Sequence, residues 1–86
     1  MRNELFIAIG STADAYNENF SIDDVEKAIN EHYAPSLVHK EFENEERMRG
    51  FCNALEFCGD DLGCQTFWVI WPENEEERER LIDLSL

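Results

Sequence analysis

Three cysteines and two histidines are the side chains in this chain that could bind a transition metal or act in nucleophilic catalysis. Cys52, Cys58 and Cys64 recur at intervals of six residues, whereas structural zinc sites usually take cysteines in close pairs such as Cys-x-x-Cys. The cysteines lie among apolar neighbours, which is typical of buried, unreactive thiols. His32 and His39 are assigned to a helix end and to a strand surface, away from any nucleophile. We therefore predict a protein that is not an enzyme and that holds no metal and no cofactor.

A second candidate for chemistry is a short loop that could bind phosphate. The residues Gly10–Thr12 follow an apolar run, as the start of a phosphate-binding loop does. The full motif contains further glycines and a lysine, whereas Asp14 and Glu18 follow here and would repel a phosphate. Because residues 10–19 are rich in Ser, Thr, Asp and Asn, we predict an ordinary loop there, without a nucleotide site.

Acidic residues dominate the composition. Twenty Asp and Glu stand against seven Lys and Arg, which gives a formal net charge of −13, whereas a small domain needs only about 2–8 charges for solubility. This excess disfavours direct binding to nucleic acid or to an anionic membrane surface. It is concentrated in the second half, because residues 1–40 hold seven acids and three bases, and residues 41–86 hold thirteen acids and four bases.

The carboxylates of the second half are the candidate partner-binding residues. Held on a rigid scaffold at roughly phosphate-like spacing, they could occupy a basic protein surface that normally holds DNA or RNA. The alternative is a solvated helix face that is braced by pairs such as Glu76–Arg80, as in most charge runs. The candidates are Glu41, Glu43, Glu45, Glu46, Asp60, Asp61, Glu73, Glu75, Glu76 and Glu79.

Trp68 is the candidate aromatic anchor for a partner. Residues 65–71 are aromatic and β-branched and Pro72 follows, so we predict a strand whose two tryptophans point to opposite faces. A strand that is apolar on both faces is usually central in its sheet. Alternatively, Trp68 is exposed and anchors a partner, since tryptophan is enriched among the residues that dominate interface energies.

The hydrophobic pattern predicts an α/β domain, with α+β possible, in the order β-α-β-α-β-α with helices packed on a small three-stranded sheet. The apolar run 5–9 predicts a central strand that is buried on both faces. A capping box at Ser21 and Asp24 precedes a helix over 22–33. The alternating residues 36–42 predict an edge strand. The pattern leaves open whether the strands are parallel or mixed, as in a ferredoxin-like arrangement.

Two further helices flank the strand 65–71. The first begins after the cap residue Asn44 and ends before Gly59. The last helix, 75–84, begins after Asn74 and has no apolar residue in its first two turns, so it must be anchored by its end. The apolar residues available for this anchoring are Leu81, Ile82, Leu84 and Leu86.

The length of 86 residues predicts one domain, 1–86. The longest apolar run, 67–71, is far shorter than the roughly 20 residues of a membrane-spanning helix. The first residues lack the pattern of a signal peptide, and an odd number of cysteines argues against a disulfide framework. We therefore predict a cytoplasmic protein.

In size, charge and folded character the whole chain resembles the small acidic inhibitors that phages and mobile elements make against host defence enzymes. These include antirestriction proteins, anti-CRISPR proteins and uracil-glycosylase inhibitors. The likeness is compositional and has no shared motif, so it assigns no functional residue. It implies a DNA-mimic-like viral protein that occupies the basic nucleic-acid-binding surface of a host defence protein.

Two other classes of function compete with this one. An immunity protein or antitoxin would bind a basic toxin through the aromatic strand or the edge strand. A small enzyme or ligand-binding domain would need a lined pocket. A continuous negative face would favour the inhibitor, and a hydrophobic patch ringed by acids would favour the immunity protein or antitoxin.

Overall fold

A computed structural model describes residues 2–32, 37–58 and 67–86. Within these ranges the chain forms a mixed α/β structure of three strands and four helices. The strands are β1 (Glu4–Ile9), β2 (Leu37–Glu41) and β3 (Phe67–Ile70). The helices are α1 (Ser11–Asn19), α2 (Ile22–His32), α3 (Glu45–Glu56) and α4 (Glu75–Leu84). None of these helices is long and apolar enough to cross a bilayer.

The three strands form an antiparallel sheet in the order β2-β1-β3. The predictions of a central first strand and of an edge strand at β2 are confirmed. The prediction that the third strand is central is wrong. β3 lies at the other edge, and its residues are apolar on both faces because helices cover both sides of the sheet.

The core is divided between the two faces of the sheet. Alternation along β1 sends Phe6 and Ala8 to a cluster that is built with α1, α2 and α4. Leu5 and Ile7 belong to a second cluster, to which α3 is the one helix among the described residues that contributes. α3 contributes Met48 to this cluster together with neighbours on the same helix face. Within the described residues, one face of the sheet is therefore covered by three helices and the other face by one.

The prediction of a loop over residues 10–19 is wrong, because this segment forms α1. Gly10 adopts a positive φ of 64° and turns the chain directly from β1 into the helix, a conformation that costs glycine little. Ala13 and Thr12 are buried against the sheet, and the helix ends at Phe20, which has a φ of 52°. Tertiary burial of a few small side chains thus stabilises a helix whose polar composition is typical of a loop.

The other element boundaries agree with the sequence to within two residues where the structure describes them. α4 spans the predicted residues 75–84, and α2 begins at Ile22 as predicted. Residues 33, 36 and 65–66, at the ends of predicted elements, lie outside the described ranges, as does Gly59. β3 ends at Ile70, one residue before the predicted end, so Trp71 lies beyond the strand.

α4 is anchored to the core by its last turns, as predicted. Leu81 is fully buried, and Ile82 and Leu84 pack against the same cluster. Leu86 does not dock, contrary to the prediction, because it is 97% exposed.

Candidate functional site

Two clusters of carboxylates lie at the starts of α3 and α4. At α3 the side chain of Asn44 accepts a hydrogen bond of 2.9 Å from the backbone N–H of Arg47, which is the predicted N-cap. Glu45 and Glu46 follow in the first turn, where the positive end of the helix dipole stabilises them. Glu45 also pairs with Arg49 at 2.7 Å.

The start of α4 repeats this arrangement. The side chain of Asn74 accepts a 2.8 Å hydrogen bond from the Glu77 N–H, and the Glu77 carboxylate accepts one of 3.0 Å from the Glu73 N–H. This reciprocal bonding fixes the path of the chain into the helix. Glu75 and Glu76 then lie in the first turn and are exposed.

One surface groove of about 800 Å³ brings the two helix starts together. We call it the α3–α4 groove. One side is formed by a face of α3, and the other side by the segment that joins β3 to α4. The lining residues are Arg2, Glu4, Phe6, Glu45, Met48, Arg49, Cys52, Glu56, Trp71, Pro72, Glu73, Asn74, Glu75 and Arg78.

The two tryptophans have different environments. Trp68 is half-buried and packs against the core cluster, where it lies edge-on to Phe20 at a centroid distance of 6.0 Å. Trp71 is 58% exposed and lines the α3–α4 groove. Its position directly before Pro72 was the available sequence signal, since proline restricts the preceding residue and strands often end there.

Sequence reasoning missed a cluster of charged side chains that joins β1, β2 and α4. The Glu4 carboxylate, whose side chain is 9% exposed, accepts hydrogen bonds from Arg78 at 2.5 and 3.0 Å. His39 Nε2 lies 2.8 Å from Glu4 Oε1, and its ring stacks on Phe6 at 4.5 Å between centroids. His39 is therefore largely enclosed, contrary to the prediction of a surface residue.

Arg78 changes the pKa of the Glu4 carboxyl. The pKa of the Glu4 carboxyl is held below its ordinary range, chiefly because Arg78 donates hydrogen bonds to it. Burial acts in the opposite direction, and the hydrogen bond with His39 adds to the lowering. Since the folded state favours the carboxylate, this group stabilises the fold above the ordinary pKa of a glutamate, and the stabilisation is lost as the pH falls through the lower folded value.

We expect Glu4→Gln to reduce the free energy of unfolding at neutral pH by about 2 kcal/mol, because hydrogen bonds to a charged acceptor are lost inside the fold. As the pH falls below the ordinary pKa of a glutamate, the variant should also lose less stability than the native protein, because it has no carboxylate to protonate at this position. Urea unfolding at several pH values measures both effects. Glu46→Gln, at an exposed helix position, should change the stability by less than about 0.5 kcal/mol. Parallel pH profiles for the native protein and Glu4→Gln would contradict this assignment.

Glu4, His39 and Glu41 form a group whose ligand atoms lie within 4.8 Å of one another, a geometry that could hold a divalent cation. However, Arg78 already donates to both carboxylate oxygens of Glu4. A guanidinium and a metal ion would compete for the same lone pairs. The group therefore fits an internal ion-pair network better than it fits a metal centre.

Cys52 is the cysteine of the described chain that lines the α3–α4 groove. Burial, with a contribution from Glu56, raises the pKa of its thiol, so the thiolate that a nucleophile needs is disfavoured at neutral pH. Cys52 and Cys58 are both half-buried, less enclosed than predicted. Cys64 lies outside the described residues.

The structure brings together some of the predicted partner-binding residues and separates others. Glu45, Glu73 and Glu75 line the α3–α4 groove. Glu41, Glu43, Glu46, Glu76 and Glu79 are exposed beside the helix starts or along the helices. Asp60 and Asp61 lie outside the described residues. Trp68 packs against the core on the face of the sheet opposite to α3.

The arginine pairing differs from the prediction. Arg80 does not pair with Glu76 but reaches across to α2, where it donates to Asp23 and, at 2.6 Å, to Glu26. Arg78 pairs with Glu4 and, at 3.3 Å, with Glu75. The two arginines of α4 therefore fasten the helix to neighbouring elements and leave Glu76 without an ion-pair partner among the described residues.

Comparison of the chain with protein-family models, with curated proteins and with solved structures finds no match.

Proposed function

We propose that this protein is a small acidic inhibitor that occupies the basic nucleic-acid-binding surface of another protein, in the manner of a DNA mimic. The likeness in size and charge to the inhibitors of phages and mobile elements supports a host defence protein as the target. The protein itself performs no chemistry on its partner in this proposal. It binds, and it thereby excludes the nucleic acid.

The observation that carries the proposal is that all five arginines pair with carboxylates of the same chain. The remaining acidic side chains leave the surface with an excess of negative charge. The pairs are Arg2–Glu75, Arg47–Glu43, Arg49–Glu45, Arg78–Glu4 and Arg80–Glu26. Of the two lysines, Lys27 lies 4.0 Å from Glu31, and Lys40 lies over the rings of Phe42 and Phe51.

Carboxylates remain in surplus at the two helix starts. Glu46 and Glu76 are exposed and have no ion-pair partner among the described residues, and Glu79 continues the exposed face of α4. Glu73 is also exposed and has no ion-pair partner among the described residues. A surface with such an excess of one sign accelerates encounters with an oppositely charged surface and repels nucleic acid.

Affinity capture on the immobilised protein tests the proposal. At low salt the native protein should retain basic nucleic-acid-binding proteins from a bacterial lysate and release them at high salt. The double variant Glu46→Lys, Glu76→Lys should lose most of this capture, because it reverses unpaired carboxylates at both helix starts without breaking an internal ion pair.

The matched control reverses two acids of α1. Asp14→Lys with Glu18→Lys changes the net charge by the same amount at exposed positions of α1, which belong to neither of the two helix starts. It should retain the captured proteins. Equal loss in both double variants would mean that only net charge matters, and no loss in either would contradict the proposal.

A specific observation favours a second candidate function, that of an immunity protein or antitoxin against a basic toxin. The α3–α4 groove combines the exposed ring of Trp71 with carboxylates around it, which is the patch ringed by acids expected for that class. The two functions differ in whether nucleic acid competes for the partner's surface. Competition supports the inhibitor, and its absence supports the immunity protein or antitoxin.

A further inference from the structure

From the lining of the α3–α4 groove we infer that it is a docking site for a basic amphipathic helix of the partner protein. This inference rests on the proposed function, because it takes the partner's surface to be basic. It adds the element of the partner that is recognised and the residue that anchors it.

Apolar side chains line part of the groove. Met48 is buried, Cys52 and Pro72 are half-buried, and Trp71 is 58% exposed. The exposed indole beside these side chains leaves apolar area that a partner can cover, and tryptophan is enriched among the residues that dominate binding energies.

The groove follows about three turns of α3. The lining positions on this helix begin at Glu45, end at Glu56 and include Met48, Arg49 and Cys52. These residues share one helix face because they are three, four, seven and eleven positions from the first. At 1.5 Å per residue the face is roughly 16 Å long, which matches a helix of about three turns laid alongside.

The charges of the groove select a cationic occupant. Five carboxylates and three guanidinium groups line it, and each guanidinium is already paired, Arg2 with Glu75, Arg49 with Glu45, and Arg78 with Glu4. The remaining carboxylates are those of Glu56 and Glu73, which have no ion-pair partner among the described residues. Lysine or arginine beside the apolar stripe of the partner helix would complement them.

A designed peptide tests the inference directly. The probe is a short helical peptide with Leu at positions i, i+3, i+4 and i+7 and Lys elsewhere. Its control is a scrambled peptide of the same composition, which has the same charge and no apolar stripe. In an NMR titration the first peptide should shift the Trp71 indole N–H and the Met48 and Cys52 amides, and it should bind at least about tenfold more tightly than the control.

Three variants of the protein show which residues supply the binding energy. Trp71→Ala should lower the affinity for the amphipathic peptide by about thirtyfold, as loss of an anchoring tryptophan does. Phe57→Ala removes another exposed aromatic ring, 54% exposed, outside the groove, and should leave the affinity unchanged. Glu56→Lys with Glu73→Lys should also lower the affinity for the amphipathic peptide. The assignment of the groove therefore does not depend on the stability of the Trp71→Ala variant alone.

A third peptide carries proline in place of the leucine at position i+4. It keeps the charge but cannot form the helix, and it should bind at least about tenfold more weakly than the amphipathic peptide. Equal binding of this peptide would overturn the helical occupant. Equal affinity of the amphipathic and scrambled peptides, with shifts on α1 and α2, would overturn the groove as the docking site. Neither result touches the proposed function, which fails if salt-dependent capture by the native protein is absent.

Discussion

Leu81→Ala is expected to reduce the free energy of unfolding by about 3–4 kcal/mol, within the range measured for buried leucines in protein cores. Leu81 is fully buried in the cluster formed by α1, α2 and α4, and it is the one fully buried residue of α4. The first two turns of that helix contribute no apolar side chain. Removal of Leu81 therefore leaves a cavity and loosens the helix that presents Glu75, Glu76 and Glu79.

Urea unfolding followed by circular dichroism measures this loss. A domain of this size has a total stability of about 5–10 kcal/mol, so the variant should unfold at a much lower urea concentration. Leu86→Ala is the matched control, because Leu86 is 97% exposed and near the end of the same helix. If Leu81→Ala costs less than about 1 kcal/mol, α4 is held mainly by its arginine ion pairs.

The second large effect concerns the rate of binding to a captured partner. Raising the ionic strength from about 0.1 M to about 1 M shortens the Debye length from about 10 Å to about 3 Å. We expect the association rate constant to fall by tenfold or more, and the dissociation rate constant to change much less, because long-range attraction between the acidic surface and the basic partner is screened.

Surface plasmon resonance with the native protein and the Glu46→Lys, Glu76→Lys variant separates these rate constants. The variant should associate slowly at low salt and show little further dependence on salt. Rate constants that are insensitive to salt, together with loss of binding in Trp71→Ala, would show that apolar contact drives recognition and that the acidity serves solubility.

The parts of the fold that the sequence predicted are those with a local physical cause. Asn74 with Glu77 forms its cap within a few residues, so the start of α4 is visible in the sequence. The apolar run of β1 requires burial on both faces, and this requirement places the strand in the centre of the sheet. α1 was missed because its helix depends on burial of Ala13 and Thr12 by distant residues.

The candidate site was less predictable because distant parts of the chain form it. Glu4 and Arg78 are 74 positions apart, and no sequence pattern links a carboxylate to a guanidinium at that separation. The same holds for the α3–α4 groove, which joins one face of α3 to the segment around Trp71. The acidic residues themselves were predictable, since the excess charge is a property of composition.

Competition with nucleic acid is the measurement that tests the central claim most directly. A protein captured at low salt is held on the immobilised domain, and short duplex DNA is added at constant ionic strength. We predict that the duplex releases the partner in proportion to its affinity for that partner, because both ligands occupy one basic surface. Retention of a nucleic-acid-binding partner in the presence of saturating duplex would contradict the account.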